Sequence, residues 1–174
     1  MQFFVESASI DITYKCNLRC RHCFDFAGEN SRDEIDDTAL DNIFESISKY
    51  EMNSICLCGG EPLLRLNSVI NGLQILKNNN SSGKVAMVSN GLLWSQSIAD
   101  SLKEAGLDLV QFSLDGINDI SYDFIRQSSG KLYKVFDAIK YAKNSGLTVV
   151  ISSIPHRKNY AEFQNLINLC DELE

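Results

Sequence analysis

The sequence predicts an α/β fold: a partial (β/α) barrel, in which an open, curved parallel sheet of about five strands is backed by helices. Two observations predict it. Short apolar runs alternate with longer stretches of helical periodicity along the whole chain, and a β-then-α order repeated this way requires parallel strands joined by right-handed crossovers. A closed eight-unit barrel takes about 250 residues, roughly 30 per unit, so 174 residues provide only about five or six units and no closed barrel.

The first strand spans Ala8 to Tyr14, where Ile10, Ile12 and Tyr14 alternate with Asp11 and Thr13. After a cysteine-bearing loop, Leu40, Ile43, Phe44 and Ile47 form a helical stripe behind Asp37-Thr38, with Thr38 and Asp41 placed for a capping box. Ser54 to Cys58 is the second strand, Leu66 to Lys77 the second helix, and Lys84 to Ser89 the third strand, closed by Asn90-Gly91. Ser95 caps a third helix carrying Ile98, Ala99, Leu102 and Ala105, which Gly106 ends. The fourth strand, Leu109 to Leu114, closes at Asp115-Gly116. Lys131 to Asn144 carries Leu132, Val135, Phe136, Ile139 and Ala142 at helical spacing and stops before Gly146; Leu147 to Ser152 is the fifth strand. Asn159 then caps a last helix whose apolar face holds Phe163, Leu166, Ile167 and Cys170.

Hydrophobic residues make up 44% of the chain, enough for one buried core. A formal net charge of −7 and a pI near 4.8 leave no basic footprint, so neither nucleic acid nor an anionic membrane is expected as a partner. The Met1 end carries no basic-then-apolar leader, and no stretch approaches about eighteen apolar residues, which predicts a cytoplasmic protein. In that reducing compartment, six cysteines read as metal ligands or small hydrophobes rather than disulfides.

Three of those cysteines fall in the run Cys16-Asn17-Leu18-Arg19-Cys20-Arg21-His22-Cys23, on the loop after the first strand. Three thiolates on one short loop can hold three irons of a cubane [4Fe–4S] cluster and leave the fourth iron open. Zinc is the alternative; it commonly takes four ligands and would need His22, His156 or another cysteine. At the end of the second strand, Cys56-Leu57-Cys58-Gly59-Gly60-Glu61-Pro62 sets two glycines, which admit close approach of the backbone to a ligand, beside a carboxylate suited to a cationic amine. An α-amino acid cofactor fits that pair. Ser89-Asn90-Gly91 and Ser113-Leu114-Asp115-Gly116 end the third and fourth strands, bringing hydroxyl, amide and carboxyl groups to the C-terminal rim, where open parallel sheets bind ligands. Cys56 and Cys58 share strand parity and read as small side chains facing the cavity, Cys170 as core, and His156 as a loop residue with a substrate role left open.

Together the CxxxCxxC loop, the GGEP motif at Gly59 to Pro62 and the SNG and SLDG strand ends resemble the radical S-adenosylmethionine (SAM) superfamily over nearly the whole chain. The resemblance implies that Cys16, Cys20 and Cys23 hold a [4Fe–4S] cluster whose open iron is chelated by the amino and carboxylate groups of SAM. Reductive cleavage then yields a 5′-deoxyadenosyl radical that takes hydrogen from a substrate. It sets His22 in the slot whose backbone lies near the adenine, Gly59, Gly60 and Glu61 at the methionine amino group, Ser113 at the ribose, Arg126 at the SAM carboxylate and Ile154 against the adenine.

Tyr122-Asp123-Phe124-Ile125-Arg126 is similar to the HDxxR stretch of the peptide- and protein-modifying (SPASM-type) branch, with Tyr122 in place of the histidine. The cysteine-rich extension of that branch and the family's sixth β/α unit have no counterpart here, so residues 1–174 read as a radical SAM core domain without its last unit. The implied partners are a peptide, protein or small-molecule substrate and a reducing electron donor such as flavodoxin or ferredoxin. No side chain is assigned as a general acid or base. Two alternatives stand beside this reading: a radical SAM enzyme acting on a small metabolite or nucleotide, and a non-catalytic iron–sulfur or zinc module.

Overall fold

The computed structural model describes residues 5–28 and 34–172. Strands β1 (Ser7–Thr13), β2 (Ser54–Gly59), β3 (Lys84–Ser89), β4 (Leu109–Ser113) and β5 (Thr148–Ser152) form one sheet in sequential order, every neighbouring pair parallel. Helices α1 (Asp37–Ile47), α2 (Leu66–Asn78), α3 (Gln96–Ala105), α4 (Asp119–Arg126) and α5 (Leu132–Asn144) lie in the crossovers, and α6 (Phe163–Glu172) follows β5. Because each β/α unit turns the same way, every loop that leaves a strand reaches one rim. This is the open five-stranded parallel sheet that the alternation predicts.

Alternation along the strands divides the sheet into two faces. Ile10, Ile12, Ile55, Leu57, Val85, Met87, Val110 and Phe112 are buried in one cluster with helix residues such as Phe44, Leu73, Leu102 and Val135. Each such side chain contributes about 1.5–3 kcal/mol by leaving water. The other face carries Ser9, Asp11, Cys56, Cys58, Gln111 and Ser113. Helix-backed apolar residues hold the sheet, and the polar residues lie on its other face.

Several local details differ from the sequence reading. The cap of α1 is Asp36, whose Oδ1 accepts from the Ala39 N–H at 2.7 Å; Thr38 lies inside the first turn, because the backbone is already extended at residue 36. Helix α4 escapes a periodicity reading since its 8 residues show little more than two turns of pattern. Its marks are the Asn118 side chain, which caps the Ile120 and Ser121 N–H groups, and Gln127 in the left-handed region at its end. Asn159 does not cap α6, which starts after a 3-10 turn over Tyr160–Glu162. Instead its side chain donates to Asp115 O at 2.8 Å and Ile154 O at 2.9 Å and accepts from His156 N–H at 2.7 Å, which ties the loops after β4 and β5 together. Cys170 is half-buried beside Ile139 and Leu147 rather than in the core, where α6 places Leu166. No helix among the described residues is long and apolar enough to cross a membrane.

Candidate functional site

A cavity of about 260 Å³ opens at the rim where the strands end. Cys16, Cys20 and Cys23 line it together with His22, Gly59, Gly60, Ser113, Arg126 and Ile154. Ser89 and Asn90 also line it, with Phe24, Ala27 and Val88. These residues are far apart in sequence and meet because each follows, ends or faces the end of a different strand.

The cysteine loop is held by backbone and side-chain contacts from both sides. Leu18 N–H points at Cys16 Sγ (3.4 Å) and Ala27 N–H at Cys23 Sγ (3.4 Å), so two of the sulfurs already face amide donors. Arg21 N–H donates to Ile125 O at 2.8 Å, and Asn90 Nδ2 donates to Asn17 Oδ1 at 2.7 Å. Burial pushes the Cys16 thiol up against the opposing Leu18 amide, and negative charge at Glu61, Cys20 and Cys23 adds to the rise. Burial raises Cys20 as well, with the Arg126 guanidinium opposing it. The three thiols line one cavity; among the described residues, no group of three or more His, Cys, Asp or Glu side chains is arranged as a single-ion site.

The two glycines of GGEP are required by closeness. A Cβ on Gly59, which sits at φ +106°, would lie 2.5 Å from Thr13 O, and one on Gly60 would lie 2.1 Å from Lys15 O. Gly60 N–H donates to Thr13 O at 2.7 Å and Glu61 N–H to Lys15 O at 2.9 Å, which zips this loop onto the residues leading into the cysteines. Glu61 itself does not line the cavity. Its carboxylate is wholly buried behind the wall, Oε1 accepting from Ser89 Oγ (2.9 Å) and Leu63 N–H (3.3 Å), Oε2 from Asn90 N–H (2.8 Å). Burial pushes its pKa up to about 7 despite those donors. Gly59 and Gly60 therefore line the cavity, and the Glu61 side chain joins the ends of β2 and β3.

On the far wall, Arg126 Nε donates to Asp115 Oδ2 at 2.5 Å, and Asp115 Oδ1 accepts from Ile154 N–H at 2.7 Å. Asp115 is wholly buried and Arg126 is 9% exposed. The sequence reading brings the Asp115 carboxyl to the rim but does not pair it with Arg126, eleven residues later, which holds it buried behind the wall. The Ile154 side chain stands exposed at the rim. Burial pushes the His22 imidazole pKa down, and its Nδ1 is buried with no hydrogen-bond partner among the described residues. His156 lies outside the cavity lining, its ring stacked on Phe124 at 5.4 Å, while the Arg21 guanidinium lies 5.1 Å from the same Phe124 ring.

Cys56 and Cys58 sit on the polar face of β2 and also lie outside the cavity lining. Cys58 Sγ donates to Asp11 Oδ1 at 3.2 Å. A hydrogen bond from Cys58 pulls Cys56 down to about 7, while that partnership and burial push Cys58 up.

Comparison with known proteins gives a consistent result. A family model described as the Radical SAM superfamily matches residues 10–170. A probable GTP 3′,8-cyclase of Methanocella arvoryzae is 34% identical over 160 residues, 91% of this chain and 50% of that protein. A GTP 3′,8-cyclase of Alkaliphilus oremlandii is 33% identical over 144 residues, 81% of this chain and 44% of that protein. The chain thus spans about half the length of these curated relatives. Among solved structures, native anSMEcpe with bound AdoMet superposes with a TM-score of 0.72 at 24% identity, covering 84% of this chain and 43% of that one, a likeness of fold.

Proposed function

The chain belongs to the radical SAM superfamily, and from that premise we propose that it forms the cofactor-binding core of an enzyme acting on a nucleotide or another small substrate. The cofactors of this family are a [4Fe–4S] cluster and SAM. When bound, they supply the electron and the 5′-deoxyadenosyl radical that takes hydrogen from the substrate. The observation that carries the reading is the shared cavity of Cys16, Cys20, Cys23, Gly59, Gly60, Ser113 and Arg126.

The residues fit the cofactors. Three thiols on one cavity can each take one iron of a cluster, whereas zinc commonly takes four ligands. Cys16, Cys20 and Cys23 would each bind an iron, with the Leu18 and Ala27 amides supporting two of the sulfurs. Gly59 and Gly60 present bare backbone to the amino acid part of SAM, Ser113 a hydroxyl to its ribose, and His22 and Ile154 the flanks of its adenine. Arg126 offers a cation for the carboxylate. Glu61 serves this site by holding the Ser89-Asn90 wall in place.

A nucleotide substrate is supported by the relatives, which are named GTP 3′,8-cyclases. The second reading, peptide or protein modification, rests on Asp123 and Arg126 of α4. The local structure accounts for those residues without a peptide. Asp123 accepts hydrogen bonds from Ser128 Oγ and Gly130 N–H, Tyr122 is wholly buried, and Arg126 is paired with Asp115. An electron donor of the flavodoxin or ferredoxin kind completes the proposed partners.

The test is anaerobic reconstitution with iron and sulfide, followed by dithionite and SAM. Formation of 5′-deoxyadenosine, increased by GTP and unaffected by short peptides, is the expected result. A cluster-loaded full-length protein that makes no 5′-deoxyadenosine would overturn the enzyme reading, and stimulation by peptides alone would overturn the nucleotide reading.

A further inference from the structure

We propose that Arg126 is a positioning residue for the iron–sulfur centre: its guanidinium is a built-in hydrogen-bond donor to the Cys20 sulfur and raises the reduction potential of the cluster held there. This rests on the reading of Cys16, Cys20 and Cys23 as cluster ligands, and it assigns Arg126 a task beyond pairing with a SAM carboxylate.

The geometry is specific. Arg126 Nη1 lies 3.7 Å from Cys20 Sγ while Nε of the same guanidinium is bonded to Asp115. In the metal-free chain the Cys20 thiol also donates to Arg126 O, at 3.8 Å. Loss of the thiol proton to iron binding removes that second contact but keeps the first, which becomes a charge-assisted bond to a thiolate. The two elements are also tied by backbone, since Arg21 N–H, next to Cys20, donates to Ile125 O, next to Arg126. Arg126 cannot easily swing away, because Asp115 is fixed in turn by the Ile154 amide and its loop by Asn159.

The surroundings make that contact count. Asp115 and Tyr122 are wholly buried and Arg126 nearly so, and the Tyr122 phenol stands in the field of Arg126, Cys20 and Asp115. A cationic donor in such a poorly solvated corner acts far more strongly than at the surface. A reduced cluster carries one more negative charge than an oxidised one, so a positive N–H donor at one of its sulfurs favours the reduced state.

The whole chain is reconstituted anaerobically as wild type, Arg126→Gln and Arg21→Gln, and each is titrated potentiometrically with the reduced centre read by electron paramagnetic resonance. Iron and sulfide content is measured first; a wild-type chain that takes up neither defeats the ligand reading itself and this inference with it. With iron content equal to wild type, Arg126→Gln is expected to be reduced about tenfold less favourably, about 59 mV more negative for one electron. Arg21→Gln removes the same charge from the cysteine loop itself, where the Arg21 guanidinium lies over the Phe124 ring, and is expected to shift by less than half as much. An unchanged midpoint in Arg126→Gln, or an equal shift in Arg21→Gln, overturns the proposal. Should Arg126→Gln fail to fold by its far-UV melt, Arg126→Lys is titrated in its place: a negative shift supports the proposal and an unchanged midpoint overturns it.

Discussion

Glu61, at the end of β2, reaches Ser89 at the end of β3, and its Oε1 accepts the seryl hydroxyl at 2.9 Å with the carboxylate wholly buried. The same hydroxyl accepts from Trp94 Nε1 at 3.0 Å and from Gly91 N–H at 3.1 Å. One acid thus organises the wall that faces the cysteine loop, and its protonation state is coupled to the integrity of that wall.

The first prediction follows from the raised pKa of Glu61. Its folded value of about 7 stands above the ordinary carboxylate value of 4.5, because burial penalises the charged form. Between those values the native chain keeps a proton that the unfolded chain has lost, so stability from this group is fully present below about pH 4.5 and declines as pH rises through 7. Relative to Glu61→Gln, the wild type is expected to lose roughly 3 kcal/mol over that interval. Urea unfolding at a series of pH values measures the difference, and parallel profiles for the two proteins would contradict it.

The Asp115–Arg126 pair gives a second prediction. Asp115→Ala leaves a guanidinium in a nearly closed site without its counter-ion and frees the Ile154 amide. Breaking a buried pair from one side costs about 3–5 kcal/mol, whereas replacing both partners costs much less. Denaturation of Asp115→Ala, Arg126→Met and the double variant tests this, and a double variant as unstable as the sum of the singles would count against the pair.

Gly60 offers a third. A methyl group there meets the Lys15 carbonyl at 2.1 Å, a backbone atom that can move only by parting the GGEP loop from the run into Cys16. Gly60→Ala is expected to destabilise by about 1–3 kcal/mol and to lower iron uptake on reconstitution. Retention of both wild-type stability and wild-type iron content would show that the two loops need not touch.

The fourth concerns Cys56, brought down to about 7 chiefly by the hydrogen bond from Cys58. In the metal-free chain, its alkylation by iodoacetamide should show a pH midpoint near 7, moving towards 9 in Cys58→Ala. Peptide mapping by mass spectrometry gives the rate at each cysteine. A wild-type midpoint already near 9 would mean that the two thiols do not interact.

By itself the sequence determined the alternation of strands and helices, the parallel sheet, the three clustered thiols and the presence of GGEP, SNG and SLDG at strand ends. These are short-range properties: a period, a cap such as Ser95 or a spacing such as Cys16 to Cys23 is written within a few turns of chain. Helix α4 was missed because its 8 residues are too few to display a period. What only the tertiary structure decided is where the polar atoms point. Glu61 faces Ser89 and Asn90 rather than the cavity, Asn159 bridges two loops rather than capping a helix, and Arg126 divides its guanidinium between Asp115 and Cys20. Those choices are set by distances between strand ends that are remote in sequence. They exist only once the β/α units have packed and burial has obliged each polar group to find a partner.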